Sequence, residues 1–374
     1  MPRLLSAALL LLATACAQPR VAAPAVAHGA TTLDASGVHQ FWHVASTLQS
    51  DREPSSAEWD SLFATPGYAA LESREHRRAA ITNGMRAALM PSRAVYRDSI
   101  LKVNGWTARV VRHVQSLPAR RAELDAYLAR AEGDHVVERA AERAQHLLPA
   151  GTVQAYGLPI VSFVFFLPDG RGYPQLIVAD LANTMRHGDA VPFFAHEATH
   201  FYHARLHPEL RRARAGADSS LSEAVLPLLT KIEEESIGDQ FDKLDVVRLD
   251  SAGLHDRWAG VPDWRDYLLA YQGEWRRSDR WLAVLDSALT GVQRGDVSAD
   301  SALSRANRAL PMEGRPLGMY VAQAIRCAGG DAALARVVGD PIGYFLQYGE
   351  AAGVARCAAR PLSPQAIALL KRMR

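Results

Sequence analysis

Residues 193–203 read FFAHEATHFYH. In an α-helix, positions four apart lie one turn along and about 40° round the axis, so His196 and His200 leave the helix on one face. In a strand the same two side chains would stand about 13 Å apart. Two neutral imidazoles on one helix face can share a metal ion. Glu197, about 100° round from His196, stands beside them, where it can take a proton from water. Phe194, Ala198, Phe201 and Tyr202 fall on the opposite side and can anchor in a core. Such a helix must be buried, form the wall of a cleft, and meet a third ligand from elsewhere in the chain. Histidines four apart also occur as core or surface groups, so the third ligand decides.

Three candidates exist. A third histidine six residues after the second, with a glycine three after it, is one known pattern. Here those positions hold Leu206 and His203, which excludes it. His203 shares the histidine face but lies about 10 Å of helix rise from His196, too spread for one ion; it is expected to line the cleft or bind substrate. The last candidate is the acidic run KIEEESIGDQF at residues 231–241. A metal-bound histidine usually donates its other N–H to a carboxylate, so the ligand helix should carry a second acid one turn beyond the ligand. Only Glu235 meets this, with Asp239 at i+4; from Glu234 that position is Gly238, and from Glu233 it is Ile237. Glu235 is therefore expected as third ligand and Asp239 as the orienter of a ligand histidine, His196. Glu233 and Glu234 read as a solvated helix face.

The rest of the chain reads mostly as helix. Segments from about residue 38 to 150 and from about 220 onward space their apolar residues at three and four. One stretch, GLPIVSFVFFLPDGRGYPQLIVADL at 157–181, is strongly β-like, with turn residues in PDGRGYP. It predicts a β-hairpin pairing residues 161–167 with 175–179. Asp189 is the expected N-cap of the histidine helix, with Pro192 in its first turn, where a missing N–H costs little.

The first residues, MPRLLSAALLLLATAC, combine Arg3, a short apolar run and small residues before Cys16. This is the pattern of a secretory signal over residues 1–15, and its apolar run is too short for a permanent membrane span. Cys16 after small residues also resembles a bacterial lipobox, so export as a lipid-anchored or a simply secreted envelope protein is expected. Residues 16–37 read as a flexible Ala/Pro/Thr-rich tether, and 38–374 as the folded domain, with an N-terminal lobe to about 206 and a helical C-terminal lobe from about 220. In an oxidising compartment the remaining pair, Cys327 and Cys357, favours one disulfide. Of 374 residues 48% are hydrophobic and 22% charged, with net charge +2. That balance gives no reason to expect a nucleic-acid partner. Arginines outnumber lysines 38 to four; RRARAG at 211–216, the densest basic run, reads as a solvated helix end or loop. The sequence does not set the oligomeric state.

HEATH followed downstream by ESIGD resembles the gluzincin zinc peptidases, whose second motif is Glu-x-x-x-Asp. More closely, the chain resembles a poorly characterised bacterial family of zinc-dependent peptidases within that group. EWDSLFATPGYAAL, the IVADL before the histidine helix, and the late GMYVAQAIRCAGG and DPIGYFLQY support the likeness, which spans roughly residues 40–350. The resemblance implies a predominantly helical α+β fold, zincin-like (thermolysin-like), with a small β-sheet and a helical second lobe. It implies one Zn2+ per chain held by His196, His200 and Glu235, Glu197 as general base and later proton donor, and a peptide or protein as substrate. It also implies that the strand before the helix pairs with extended peptide, with Gln175–Asp180 as the candidate, and that a donor serves the oxyanion. Tyr320 is the first choice of donor; Tyr348 and His203 compete. Two other readings remain: a zincin-fold binding lipoprotein without turnover, and a zinc hydrolase of a non-peptide amide.

Overall fold

The computed structural model describes residues 32–103, 105–166, 168–206, 219–257, 262–357 and 359–374. The expected secretion signal, Cys16 and the RRARAG run lie outside them. Residues 31–374 form one compact unit, predominantly helical with one small mixed sheet. The folded chain begins earlier than the expected tether allows. Leu33–Asp34 form strand β1, and α1 (Ser36–Gln49) starts two residues later. Asp34 holds that junction through its carboxylate, which accepts from Ser36 N (3.0 Å) and Ser162 Oγ (2.5 Å).

Two helices before the sheet bear on the site, α2 (Trp106–Ser116) and α3 (Val136–Gln145). Strand β2 (Val161–Val164) is buried at every position, as its β-branched and aromatic residues demand. β3 (Gly170–Gly172) and β4 (Ile177–Asp180) follow, and the sheet order is β1-β2-β4-β3. This corrects the expected hairpin. β2 and β4 run parallel, Val161 opposite Ile177 and Val164 opposite Asp180. The hairpin is β3–β4, closed where Tyr173 N donates to Leu176 O at 2.9 Å. The segment read as turn residues holds a strand of its own. Its two glycines carry no β signal, yet they are what lets β3 lie against a helix. A Cβ on Gly170 would fall 2.5 Å from Phe193 Cζ, and one on Gly172 would strike the Glu197 carbonyl oxygen.

That helix is α4 (Val191–His203). Pro192 sits in its first turn; Ala190 is the flanking residue, and Asp189 instead accepts from Val191 N at 3.0 Å. α4 packs on α3 and on α5 (Ser219–Asp242), a 24-residue helix carrying Pro227 inside it. α6 (Pro262–Trp275), α7 (Arg315–Ala335) and α8 (Pro341–Ala352) complete the surroundings. α7 crosses α5 closely at Gly318, where a Cβ would come 2.5 Å from Ile232 O. Cys327 of α7 is bonded to Cys357, the expected pair, closing the chain after α8 onto α7. Among the described residues no helix is long and apolar enough to cross a membrane.

Candidate metal centre

α4 and α5 meet face to face, which brings the two motifs together. His196 Nε2 and His200 Nε2 lie 3.2 Å apart. Glu235 Oε2 is 3.8 Å from the first and 4.0 Å from the second. Ligand atoms about 2.0–2.2 Å from one tetrahedral ion stand about 3.3–3.5 Å from each other, so the three atoms are close to the spacing one zinc requires. The outer nitrogens explain why a cation belongs there. His196 Nδ1 faces Asp242 Oδ1 (3.1 Å) and Asp239 Oδ1 (3.5 Å), and His200 Nδ1 faces Glu234 Oε1 (3.1 Å). Carboxylates at Nδ1 fix the N–H there and turn both Nε2 lone pairs inward, where they face each other and Glu235. The buried Glu235 Oε2 has no hydrogen-bond donor, although Arg315 Nη2 lies 2.9 Å away as an ion-pair neighbour. Arg315 Nη2 faces two of these atoms, Glu235 Oε2 at 2.9 Å and His196 Nε2 at 3.4 Å, and a metal ion between the three would answer all of them at once. The donor set, two imidazoles and a carboxylate, suits Zn2+.

Glu197 lines the same cleft, of volume about 1060 Å³. Burial raises its pKa, against the pull of His196 and His200, which favours the charged form. The seat of His196 on α5 is set by a glycine as well, Gly238. A Cβ there would come within 2.8 Å of His196 Nδ1, so the small residue inside ESIGD is what lets the imidazole lie on α5.

Several residues differ from their expected roles. Glu233 and Glu234 are not a solvated face. Glu233 is fully buried, taking His203 Nε2 at 2.5 Å and Gly339 N at 3.0 Å, while Glu234 meets His200. A helix packed on α4, α7 and α8 has little face left for water. His203 does not line the cleft but is held in that buried pair. Tyr320 lies away from the candidate metal ligands. Its hydroxyl donates to Asp279 (2.7 Å) and accepts from Arg360 N (3.0 Å), and it lines neither cavity that touches His196. It sits one and a half turns beyond Arg315 on α7, so the segment reaches the site but through its first residue. Tyr348 donates to Arg360 O. Gln175–Asp180 is also displaced as the peptide-pairing strand, because β4 has partners on both sides; the edges are β1 and β3, and β3 is the one packed on α4.

Four residues at the site were not expected. Asp242 follows Glu235 at i+7 and Asp239 at i+3, so helical spacing alone could have found it. Glu234 shows no such signal. Lys243 neutralises Asp239 (2.8 Å) and Asp242 (2.9 Å). Arg315 approaches from α7, with Nη2 3.0 Å from Asp239 Oδ1 and 3.4 Å from His196 Nε2. Burial opposes the charge of Asp239, but Arg315, Lys243 and His196 outweigh it and hold the carboxyl below its usual range.

The His203–Glu233 pair gives a test independent of the metal. His203→Ala leaves a carboxylate buried without its cation, and stability should fall by about 3–5 kcal/mol, read by denaturant unfolding, while zinc content stays unchanged. Burial disfavours charged His203, yet Glu233 raises its pKa above the usual value. The pair's contribution is thus full below about pH 6.5 and is lost as pH rises through the raised pKa. The gap between wild type and variant should narrow at alkaline pH; zinc lost with His203 would show it to be a ligand.

One family model matches residues 59–355; the family is described as "Putative zinc dependent peptidase (DUF5700)". No curated protein and no solved structure matches the chain.

Proposed function

The chain belongs to this family, and from that premise we propose that it is a single-zinc metallopeptidase of zincin-like, thermolysin-like fold, exported and held at the cell envelope. The observation that carries the reading is the convergence of His196 Nε2, His200 Nε2 and Glu235 Oε2 beside Glu197 in one open cleft. Zinc, when bound by these three residues, supplies Lewis acidity that acidifies water and polarises a carbonyl.

The chain's own residues supply the rest. Asp242 and Asp239 orient His196, and Glu234 orients His200. Glu197 takes the proton of the attacking water on its carboxylate and returns it to the leaving amine. Arg315, cationic and lining the cleft, replaces Tyr320 as the donor to the oxyanion. β3, the edge strand beside α4, can receive an extended peptide by strand addition once the side chains that hold Gly170 give way: Gly170 N donates to Asp169 Oδ1 (2.9 Å) and Gly170 O accepts from Arg171 Nη1 (2.6 Å). Lipidation of Cys16 would attach the domain to a membrane, and the Cys327–Cys357 bond suits an oxidising compartment.

The test is metal analysis followed by an unbiased cleavage profile. About one zinc per chain is expected, with peptide cleavage that stops on chelation and returns with added zinc. Zinc-loaded protein that cleaves nothing in a broad peptide library would defeat the peptidase reading.

A further inference from the structure

A second cavity, of about 490 Å³, adjoins the cleft and shares Asp169, His196, Glu197 and Arg315 with it. Its charge differs from that of the cleft. One face of α2 lines it, with Arg109, Arg112, His113 and Ser116 recurring at i, i+3, i+4 and i+7. His113 is committed to Asp180 at 2.7 Å. Arg109 and Arg112 are exposed, and neither forms an ion pair with a described residue. Arg186, Lys243 and Arg315 add positive charge from other walls.

The acids facing them are Asp169, Glu197 and Asp242. Asp169 is paired with Arg171 (2.5 Å), and Asp242 with Lys243 (2.9 Å) and His196 (3.1 Å). Glu197 is the proton carrier of the proposed reaction. Among the described residues no acid of the cavity is therefore left to answer Arg109 and Arg112. The other side of the site is opposite in kind: Glu223, Glu234 and Glu313 line the large cleft, with Lys231 already paired to Glu313. The second cavity also has aromatic walls. His187 stacks on Phe193 at 4.7 Å and Trp264 on Tyr267 at 5.0 Å. The planar fork of arginine is the matched donor for a carboxylate bound beside these walls.

We infer that this cavity is a substrate subsite for a carboxylate, with Arg109 and Arg112 as its specificity determinants. The inference rests on the peptidase reading and adds a substrate class: peptides carrying a carboxylate close to the cleaved bond. The carboxylate has two sources, a free C-terminus or an Asp or Glu side chain.

The experiment uses matched fluorogenic peptides, each as the free acid and the C-terminal amide, with Glu or Gln at each position flanking the cleaved bond. Zinc-loaded wild type should favour the carboxylate member of a pair by about tenfold or more in kcat/KM. Free acid over amide identifies the C-terminus; Glu over Gln identifies a side chain. In the Arg109→Ala/Arg112→Ala variant the preference should fall to near unity, and Arg109→Glu/Arg112→Glu should invert it toward Lys-bearing peptides. Equal rates for every pair, or a preference that survives both variants, overturns the subsite and leaves the peptidase reading standing. Binding of the same peptides to zinc-loaded Glu197→Gln, by fluorescence anisotropy, separates the two ideas. Carboxylate-dependent binding without cleavage by wild type would keep the subsite and defeat the peptidase reading.

Discussion

Glu197→Gln is expected to keep about one zinc per chain and to lose about a hundred- to ten-thousand-fold in kcat, the usual worth of a positioned general base. The substitution is nearly isosteric, so α4 should hold its place between β3 and α5. Neither candidate donor group, His196, His200 and Glu235 or His196, Asp239 and Asp242, includes this side chain. What is lost is one function, an oxygen that can carry a proton. An amide cannot accept the proton of water or return it to an amine. Burial raises the Glu197 pKa, which makes the carboxylate a stronger base than one in water. The check is paired: metal content by atomic absorption and turnover on whichever peptide wild type cleaves. A variant that loses zinc would place Glu197 among the ligands, and one that cleaves normally would remove it from the reaction.

How much of this was legible depended on whether a residue's partner lay on its own element. HEATH was readable because helical spacing puts His196 and His200 on one side without reference to anything else. Glu235 and Asp239 were readable for the same reason, as two acids one turn apart. Glu233 and Glu234 misled because an acidic triplet looks like a wet face unless one knows that α5 is packed between α4, α7 and α8. Their partners, His203 and His200, sit some thirty residues away on another helix. Arg315 was invisible for a stronger version of that reason. An arginine at the start of a helix among 38 arginines carries no local mark. Only the crossing of α7 over α5, permitted by Gly318, brings it to Asp239.

The sheet shows the same limit. β-branched and aromatic letters located β2 and β4, but pairing is a property of topology. The chain leaves β2, travels to the far edge as β3 and returns inside it as β4. A Gly-Arg-Gly strand has no propensity to announce it; its position is dictated by the surface of α4 beneath it, where a larger residue would collide with Glu197. The edge that could receive a peptide was therefore the strand the letters hid.

Glu235→Ala should abolish retention of zinc on dialysis, whereas Glu234→Ala should retain it with affinity weakened about 10–100-fold. Neighbouring glutamates of one charge and size make this a test of geometry alone. Glu235 Oε2 faces the inner nitrogens of both rings, at 3.8 and 4.0 Å. Glu234 Oε1 faces the outer nitrogen of one, at 3.1 Å. The first can touch an ion held by both rings; the second can only orient a ring and strengthen it as a ligand. Side effects on folding should be small in the Glu235 variant, because Arg315 keeps Asp239 as a partner when Glu235 is removed. Chelator-treated wild type and Glu235→Ala should accordingly unfold at similar temperatures, and only wild type should gain stability on adding zinc, by the mass-action term of a bound ligand. Were Glu234→Ala the variant that lost its zinc while Glu235→Ala kept it, the third ligand would be Glu234 and the inward-facing oxygen of Glu235 would need another explanation.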